Sequence, residues 1–311
     1  MPEASHHSRE RLARAVHSLH GLSCGDAFGE RFFLHPDVAR PLIARRAVPS
    51  PPWRYTDDTA MAIAITEILE EHGDIRQDLL AERFGKNFLA DPYRGYGAAM
   101  HSLLPELATV PSAWKQLAPA LFQGQGSFGN GAAMRVAPLG AYFADDLAKL
   151  TEQAERSAAI THSHPEGIVG AVAVALAAGL ASRHKGAPIS PREFLQKICD
   201  RTPESEVRHG IVEALALPSH TPVESVVAVL GNGEKVSAQD TVPFALWAAA
   251  SHPQNYADAL WTTVSGLGDR DTTCAIVGGI VALSAGTDSI PPSWIQSREP
   301  IPAWFLYPRP G

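Results

Sequence analysis

The spacing of apolar residues constrains the fold of this chain more than any other feature of its sequence. Apolar side chains recur every three or four residues in segments 81–89, 145–161, 191–201 and 257–265, which is typical of helices with one buried face. No segment shows a convincing alternation of apolar and polar residues. The apolar run 226–230 is too short for its periodicity to distinguish a buried strand from a helix. The sequence therefore predicts an all-α protein.

The interruptions between these segments bear on domain organisation. Length alone would suggest about two domains, but no low-complexity stretch or charge run marks a linker between them. Glycine- and proline-rich stretches at 47–53, 124–131 and 217–222 predict loops that join helices. Residues 1–10 and 290–311 are expected to be tails.

Charge and cysteine content argue against several kinds of partner. The formal net charge of -7 provides no positive field to attract bulk nucleic acid. Cys24, Cys199 and Cys274 form neither a zinc pattern nor a disulfide framework, so a reducing, cytoplasmic environment is expected. The uncharged run 167–181 is shorter than the roughly 20 residues that a bilayer requires, and it predicts a buried helix rather than a membrane contact.

Two clusters of carboxylates and hydroxyls each open an apolar helix. The first is Tyr-Thr-Asp-Asp-Thr at 55–59, and the second is Gly-Asp-Arg-Asp-Thr-Thr at 268–273. Helix capping is the simpler interpretation of either cluster alone, because one Thr or Asp accepts a hydrogen bond from a free backbone N–H and acids suit the helix dipole. One residue is enough for that role. Two clusters with four carboxylates between them favour a functional site.

Oxygen ligands of this kind suit Mg²⁺, Mn²⁺ or Ca²⁺ better than Zn²⁺. If the two helix starts face each other, four carboxylates can hold two divalent ions at the roughly 3.5–4 Å separation of two-metal sites. Ligands so far apart in sequence must then meet in space. We therefore expect residues 1–311 to form a single domain.

A glycine-rich segment at 124–140 lies between the two clusters. It contains the Gly-x-Gly-x-x-Gly pattern of dinucleotide-binding folds, but no strand precedes it and no βαβ unit surrounds it. Backbone N–H groups of such a loop before a helix can form an anion site suited to a diphosphate, to which Ser127 and Asn130 could add hydrogen bonds. A flexible connection whose glycines only turn the chain explains the pattern equally well.

A second polar segment, Thr-His-Ser-His at 161–164, precedes the buried run. His162 and His164 could bind a metal ion together. A polar N-terminal turn with one capping side chain is the commoner explanation of such a segment.

Five motifs in this order resemble those of the ADP-ribosylglycohydrolase family, and together they span most of the chain. They are Gly25-Asp26-Ala27-Phe28-Gly29, Thr56-Asp57-Asp58-Thr59, Gly129-Asn130-Gly131-Ala132-Ala133-Met134-Arg135, Thr161-His162-Ser163 and Gly268-Asp269-Arg270-Asp271-Thr272-Thr273. The resemblance implies a compact, orthogonal all-α bundle. It also implies that the chain hydrolyses the bond between ADP-ribose and a carrier, releasing ADP-ribose.

The resemblance assigns roles to these motifs. It implies a centre of two Mg²⁺ or Mn²⁺ ions held by Thr56, Asp57, Asp58, Asp269, Asp271 and Thr272. It implies an ADP-ribose site lined by Ser127, Phe128, Gly129, Asn130, Gly131 and His162. Asp57, Asp58 and Asp271 would contribute to catalysis through the metals.

Two departures from the family pattern concern the reaction. Members commonly carry an acid/base glutamate at the position of Phe33, and Glu30 is the nearby residue that could replace it. The arginine-specific branch has aspartate before the first glycine of the loop, where this chain has Phe128, so O-linked carriers such as ADP-ribosylserine or esters are favoured over arginine. Hydrolysis of a free O-acyl-ADP-ribose, and an inactive ADP-ribose-binding relative, are alternatives. The carrier is thus an ADP-ribosylated protein or a small conjugate.

Overall fold

The computed structural model describes residues 2–187, 189–218 and 220–302, and it confirms the all-α prediction. This part of the chain contains sixteen α-helices, three short 3-10 helices and no β-strand, only the isolated bridges Trp53–Arg298 and Gly129–Ser237. The α-helices are α1 (Pro2–Glu30), α2 (Pro36–Ala44), α3 (Asp57–His72), α4 (Gln77–Ala90), α5 (Met100–Thr109), α6 (Trp114–Gly124), α7 (Ala137–Tyr142), α8 (Leu147–Ala159), α9 (Pro165–Arg183), α10 (Pro191–Cys199), α11 (Glu206–Ala216), α12 (Val223–Leu230), α13 (Ala238–Ser251), α14 (Tyr256–Ser265), α15 (Arg270–Ala285) and α16 (Pro292–Ser297).

The ambiguous apolar run 226–230 is helical. It forms most of α12, in which Val226 and Leu230 lie one turn apart and are both buried. The four segments with helical spacing fall in α4, α8, α10 and α14, as predicted.

Helix α9 contains the uncharged run and is a core helix. It is long and apolar enough to cross a membrane, but 72% of its most apolar window is buried inside the protein. Its small side chains allow close packing, because a Cβ added at Gly140 of α7 would lie 2.2 Å from the carbonyl oxygen of Ala175. The structure thus agrees with the predicted buried helix.

Helices α1 and α15 pack with their backbones in close contact. Gly21, Gly25 and Gly29 form a stripe along α1 that faces α15. A Cβ at Gly25 would lie 2.1 Å from the carbonyl oxygen of Cys274, and one at Gly29 would lie 2.1 Å from that of Arg270. Any side chain at these positions would force the helices apart. The stripe therefore brings the end of α1 against the start of α15.

Both predicted tails need correction. Residues 2–10 belong to α1, although residues 7–10 are exposed. Residues 290–302 pack on the core: Trp294 is 3% exposed and stacks on Phe28 with 4.4 Å between ring centroids, and Glu299 pairs with Arg94 at 2.8 Å. The prolines in this segment resemble those of a loose tail, but its aromatic and apolar residues are buried. Residues 303–311 of the expected tail lie outside the described residues.

One cluster of buried apolar side chains extends from α1 to residue Ile301. It includes residues of α3, α7, α9, α13 and α15. The single domain expected from the sequence stays a prediction.

Candidate active site

Three helix ends meet at a group of buried carboxylates. Asp26 lies in the last turns of α1, Asp58 in the first turn of α3 and Asp271 in the first turn of α15. Each offers a ligand oxygen, and these oxygens all lie within 4.8 Å of one another. The structure therefore brings the two predicted clusters together and adds Asp26 to them.

Capping accounts for only one residue of the two clusters. At α3 the cap is Thr56, whose hydroxyl accepts from the backbone N–H of Asp58 at 3.4 Å. At α15 Asp269 occupies the N-cap position, but its side chain makes no capping hydrogen bond. Its Oδ2 instead accepts from Asn130 at 2.7 Å. Asp57, Asp58 and Asp271 thus need an explanation other than capping.

Asp26 fixes the start of α3. Its carboxylate accepts from the backbone N–H of Thr56 at 3.0 Å, from the Thr56 hydroxyl at 2.9 Å and from the backbone N–H of Thr59 at 3.1 Å. The Thr59 hydroxyl also donates to it. Asp26 stands in the Gly-Asp-Ala-Phe-Gly motif, but the sequence did not indicate a separate role for it. It lies one helical turn before Glu30, on the same face of α1.

Within the described part of the chain, one oxygen of Asp58 has no protein partner. Its Oδ2 contacts the Thr56 hydroxyl at 2.9 Å, whereas its Oδ1 is buried and makes no hydrogen bond. An ionised buried oxygen of this kind is unfavourable unless a cation or another donor compensates it. Hard oxygen donors in this arrangement fit Mg²⁺ or Mn²⁺. The donor set therefore fits a divalent-cation site.

The carboxylates also raise one another's pKa. Burial, followed by the charge of Asp26, raises the pKa of Asp57 to about 8. Burial raises the pKa of Asp26 to about 6, although its hydrogen bonds act in the opposite direction. Burial together with neighbouring carboxylates holds the pKa of Asp58 and that of Asp271 well above the usual range. The cluster thus resists full ionisation in the absence of cations.

Glu30 lies at the edge of this cluster. It is the last residue of α1, and its pKa is raised by partial burial and then by the charges of Asp26 and Asp269. Phe33 is 47% exposed, and the Arg270 guanidinium lies over its ring at 5.1 Å from the centroid. Phe33 stands at the usual glutamate position and has no ionisable group. Glu30 is therefore the glutamate whose pKa is raised by the charges of the cluster.

The glycine loop is held in place by hydrogen bonds, which argues against a merely flexible connection. Ser127 is buried, and its hydroxyl accepts from the backbone N–H of Gly129 at 3.2 Å. Asn130 is buried too, and its Nδ2 donates to Thr241 at 3.0 Å and to Asp269 at 2.7 Å. Both amide protons of Asn130 are thus engaged within the protein. Its side chain joins the loop to the carboxylate cluster.

Phe128 and the two histidines have distinct positions. The Phe128 ring is 38% exposed and contacts His164 edge-on at 5.4 Å. His164 caps α9, since its Nδ1 accepts from the backbone N–H of Glu166 at 3.1 Å. His162 is buried against the loop: a Cβ added at Gly131 would lie 2.9 Å from its Cε1. The two histidines therefore do not form a metal-binding pair.

His162 is neutral. Burial, and then the charge of Arg135, lowers its pKa to about 3.

Thr272 is buried beside Asp271, whose Oδ1 accepts from the Thr272 backbone N–H at 2.8 Å. The predicted residues of α3, α15, the loop and the segment before α9 thus surround one region of the protein.

The structure is thus an all-α fold in which buried carboxylates at three helix ends are joined to a glycine loop. A family model described as ADP-ribosylglycohydrolase matches residues 7–306, and the chain belongs to that family. It is accordingly an enzyme that hydrolyses glycosidic bonds of ADP-ribose.

Individual relatives support the same assignment. The chain is 30% identical to the ADP-ribosylhydrolase ARH3 of Gallus gallus over 79% of this chain and 74% of the relative. It is 30% identical to the ADP-ribosylhydrolase ARH3 of Homo sapiens over 93% of this chain and 90% of the relative. A solved structure titled ADP-ribosylglycohydrolase-related protein complex has a similar fold, with a TM-score of 0.64, 22% identity and 94% of each chain covered.

Proposed function

We propose that this chain is a Mg²⁺- or Mn²⁺-dependent ADP-ribosylglycohydrolase that releases ADP-ribose from an O-linked carrier. The observation that carries the proposal is the unpartnered, buried Oδ1 of Asp58 within the group formed by Asp26, Asp58 and Asp271. The bond from Asn130 to Asp269 joins this group to the glycine loop, so the two parts of a substrate site are adjacent.

Two cations would be held by side chains of both clusters. The proposed ligands are Thr56, Asp57, Asp58, Asp269, Asp271 and Thr272. Asp26 is a weaker candidate, because its carboxylate already accepts four hydrogen bonds from Thr56 and Thr59. Bound cations of this kind polarise water and ribose hydroxyls.

The chain's own residues bind the substrate and move the proton. The loop with Ser127 and Gly131, together with His162, would hold the ADP part, and this remote binding energy would orient the reacting ribose. Glu30 would transfer a proton to the leaving oxygen or take one from water, since its raised pKa favours that exchange. Glu30 also borders an open cavity of about 440 Å³ that is lined by Phe33 and residues 47–50.

Phe128 supports the choice of an O-linked carrier such as ADP-ribosylserine, because no carboxylate stands there to pair with a guanidinium leaving group. Free O-acyl-ADP-ribose, in which an acyl group is joined to a ribose oxygen, is a second candidate substrate. The buried carboxylates oppose an inactive ADP-ribose binder, because a binder has no need of so unfavourable a cluster.

Turnover assays test the proposal directly. Peptides with ADP-ribose on serine or arginine, and O-acetyl-ADP-ribose, would be incubated with Mg²⁺, Mn²⁺ or EDTA. We expect release of ADP-ribose from the serine peptide with either metal and none with EDTA. Faster release from the arginine peptide, or undiminished release in EDTA, would contradict the proposal.

We also propose a cytoplasmic location, with an ADP-ribosylated protein or small conjugate as partner. The three cysteines are free and buried, which suits a reducing compartment. Fractionation of cells that express the chain would test this location.

A further inference from the structure

We propose that Arg135 and Thr161 are positioning residues that hold His162 as a fixed hydrogen-bond donor beside Gly129 and Gly131. The ligand group that it would meet is an oxygen acceptor of the bound diphosphate sugar, that is, a phosphate or ribose oxygen. The identity of this ligand rests on the proposed function, whereas the state of the His162 ring does not.

Arg135 is an unusual residue for a protein core. It is fully buried, and burial lowers its pKa to about 9 although the charge of Asp57 acts in the opposite direction; among the described residues no carboxylate lies close enough to form an ion pair with it. Its guanidinium lies over the Phe84 ring at 4.5 Å, and its Nε has no partner. A buried, unpaired guanidinium opposes folding. Such a residue calls for a role that an apolar side chain could not perform.

Arg135 is connected to His162 through hydrogen bonds of the Thr161 hydroxyl. Its Nη2 donates to the hydroxyl of Thr161 at 2.8 Å and to the carbonyl of Ser157 at 3.3 Å. The Thr161 hydroxyl in turn lies 2.7 Å from Nδ1 of His162. All of these groups are buried, so each further proton that is left without an acceptor is unfavourable.

Proton counting decides the tautomer of His162. A guanidinium only donates, so the Thr161 oxygen accepts from Arg135. If Nδ1 of His162 also donated to that oxygen, the single hydroxyl proton of Thr161 would be left without an acceptor. The satisfied arrangement has Thr161 donating to Nδ1, which puts the ring proton of His162 on Nε2.

Nε2 of His162 is directed at the glycine loop. It lies 3.2 Å from the position of a Cβ at Gly129 and 3.1 Å from that of one at Gly131. Among the described residues it has no protein hydrogen-bond partner, and the side chain is only 5% exposed. His162 therefore presents its Nε2–H to the loop. Because Nδ1 accepts from Thr161 and Nε2 carries the proton, neither nitrogen has a free lone pair for a metal ion or for a proton.

Nitrogen-15 NMR of the imidazole ring tests the tautomer without a turnover assay. We expect the wild-type protein to have its His162 proton on Nε2, and Thr161→Val to produce a mixture of tautomers. Thr263→Val is the matched control, because Thr263 is also fully buried but bonds only to the carbonyl of Ala259 in its own helix. A wild-type proton on Nδ1, or an unchanged tautomer in Thr161→Val, would overturn the proposal.

Calorimetry with ADP-ribose tests the consequence. Thr161→Val should weaken binding about tenfold, which corresponds to about 1.4 kcal/mol, and Thr263→Val should leave it unchanged. His162→Gln retains an N–H donor near the position of Nε2, so adding Thr161→Val to it should change affinity less than twofold. Equal losses in both backgrounds would mean that Thr161 acts on the fold and not through His162. If the wild-type protein cleaves no linkage tested, the proposed function fails while the tautomer result still stands.

Discussion

The Nδ2 of Asn130 lies 2.7 Å from Oδ2 of Asp269, so one amide joins the glycine loop to the carboxylate cluster. Removing it should disturb both parts of the site. We expect Asn130→Ala to weaken ADP-ribose binding and Mg²⁺ binding together, each by about 10- to 100-fold, as is typical when a partner of a metal ligand is lost. Thr241→Val removes the other acceptor of Asn130 but keeps the bond to Asp269, and it should have the smaller effect. Loss of one affinity alone, measured by calorimetry, would argue against this link.

Because the carboxylates crowd one another, we expect Asp58→Asn to stabilise the metal-free protein but to reduce turnover and stabilisation by metal. Asp58→Asn replaces a buried carboxyl that has no partner at Oδ1 and is unfavourable when ionised, so at alkaline pH, where Asp58 would ionise, the metal-free protein should melt a few degrees higher. The same variant should lose at least about 10²-fold in turnover and most of the rise in Tm that Mg²⁺ gives to the wild-type protein. Melting curves with EDTA and with saturating Mg²⁺ measure both effects. A full metal-induced rise in Asp58→Asn would refute the ligand assignment.

The pKa of Asp57 predicts how stability depends on pH in EDTA. Its folded value of about 8 lies above the ordinary value of 3.8, so the folded state binds more protons than the unfolded state, and stability falls as pH rises through 8. The neutral, buried His17 and His162 oppose this trend only below their ordinary pKa of 6.5. Urea unfolding between pH 7 and 9 should therefore show a decline that Mg²⁺ and Asp57→Asn each reduce. A flat wild-type profile would contradict this prediction.

Contact between Gly131 and His162 predicts the effect of a side chain in the loop. A Cβ at Gly131 would lie 2.9 Å from Cε1 of His162, so Gly131→Val should displace the ring and weaken ADP-ribose binding at least tenfold. The backbone of Gly131 is not in the left-handed region, and the effect is therefore steric. Gly97→Val is the control, since a Cβ there meets nothing within 4 Å. Equal calorimetric affinities of the two variants would exclude the steric explanation.

Glu30 predicts a separation of catalysis from binding. Glu30→Gln should lower turnover by about 10²- to 10⁴-fold because it removes the group that exchanges a proton. Binding of ADP-ribose should change little, since the loop and His162 remain intact. Glu106→Gln, at an exposed position of α5, serves as the control. Turnover of Glu30→Gln within threefold of the wild-type value would redirect the search to Asp26.

The sequence identified the carboxylates of the site because they outnumber the residues that helix capping requires. Asp57, Asp58 and Asp271 follow helix starts that already have a cap or need only one, and this surplus is visible in the sequence. Asp26 and Arg135 belong to motifs of the chain, but neither was assigned a role, because each is a single charged residue among small and apolar neighbours. Their roles depend on contacts with Thr56 and Thr161, which lie in other parts of the chain.

Contacts between distant parts of the chain also explain why residues 290–302 were wrongly predicted to be a tail. Prolines at 291 and 292 break the helical pattern, and local rules therefore predict a tail. Only the packing of Trp294 on Phe28 reveals that the segment closes the core. Helix type was predictable from periodicity, whereas the burial of short segments depends on long-range contacts.

The glycine stripe of α1 against α15 has a consequence for synthesis. Asp26 emerges from the ribosome long before the helix that faces it, which ends at Ala285. A nascent chain that lacks α15 has no partner for the stripe and no Asp271, and the carboxylate centre cannot assemble. The carboxylate centre therefore becomes complete only after α15 has been synthesised, and a chain that terminates before α15 lacks it.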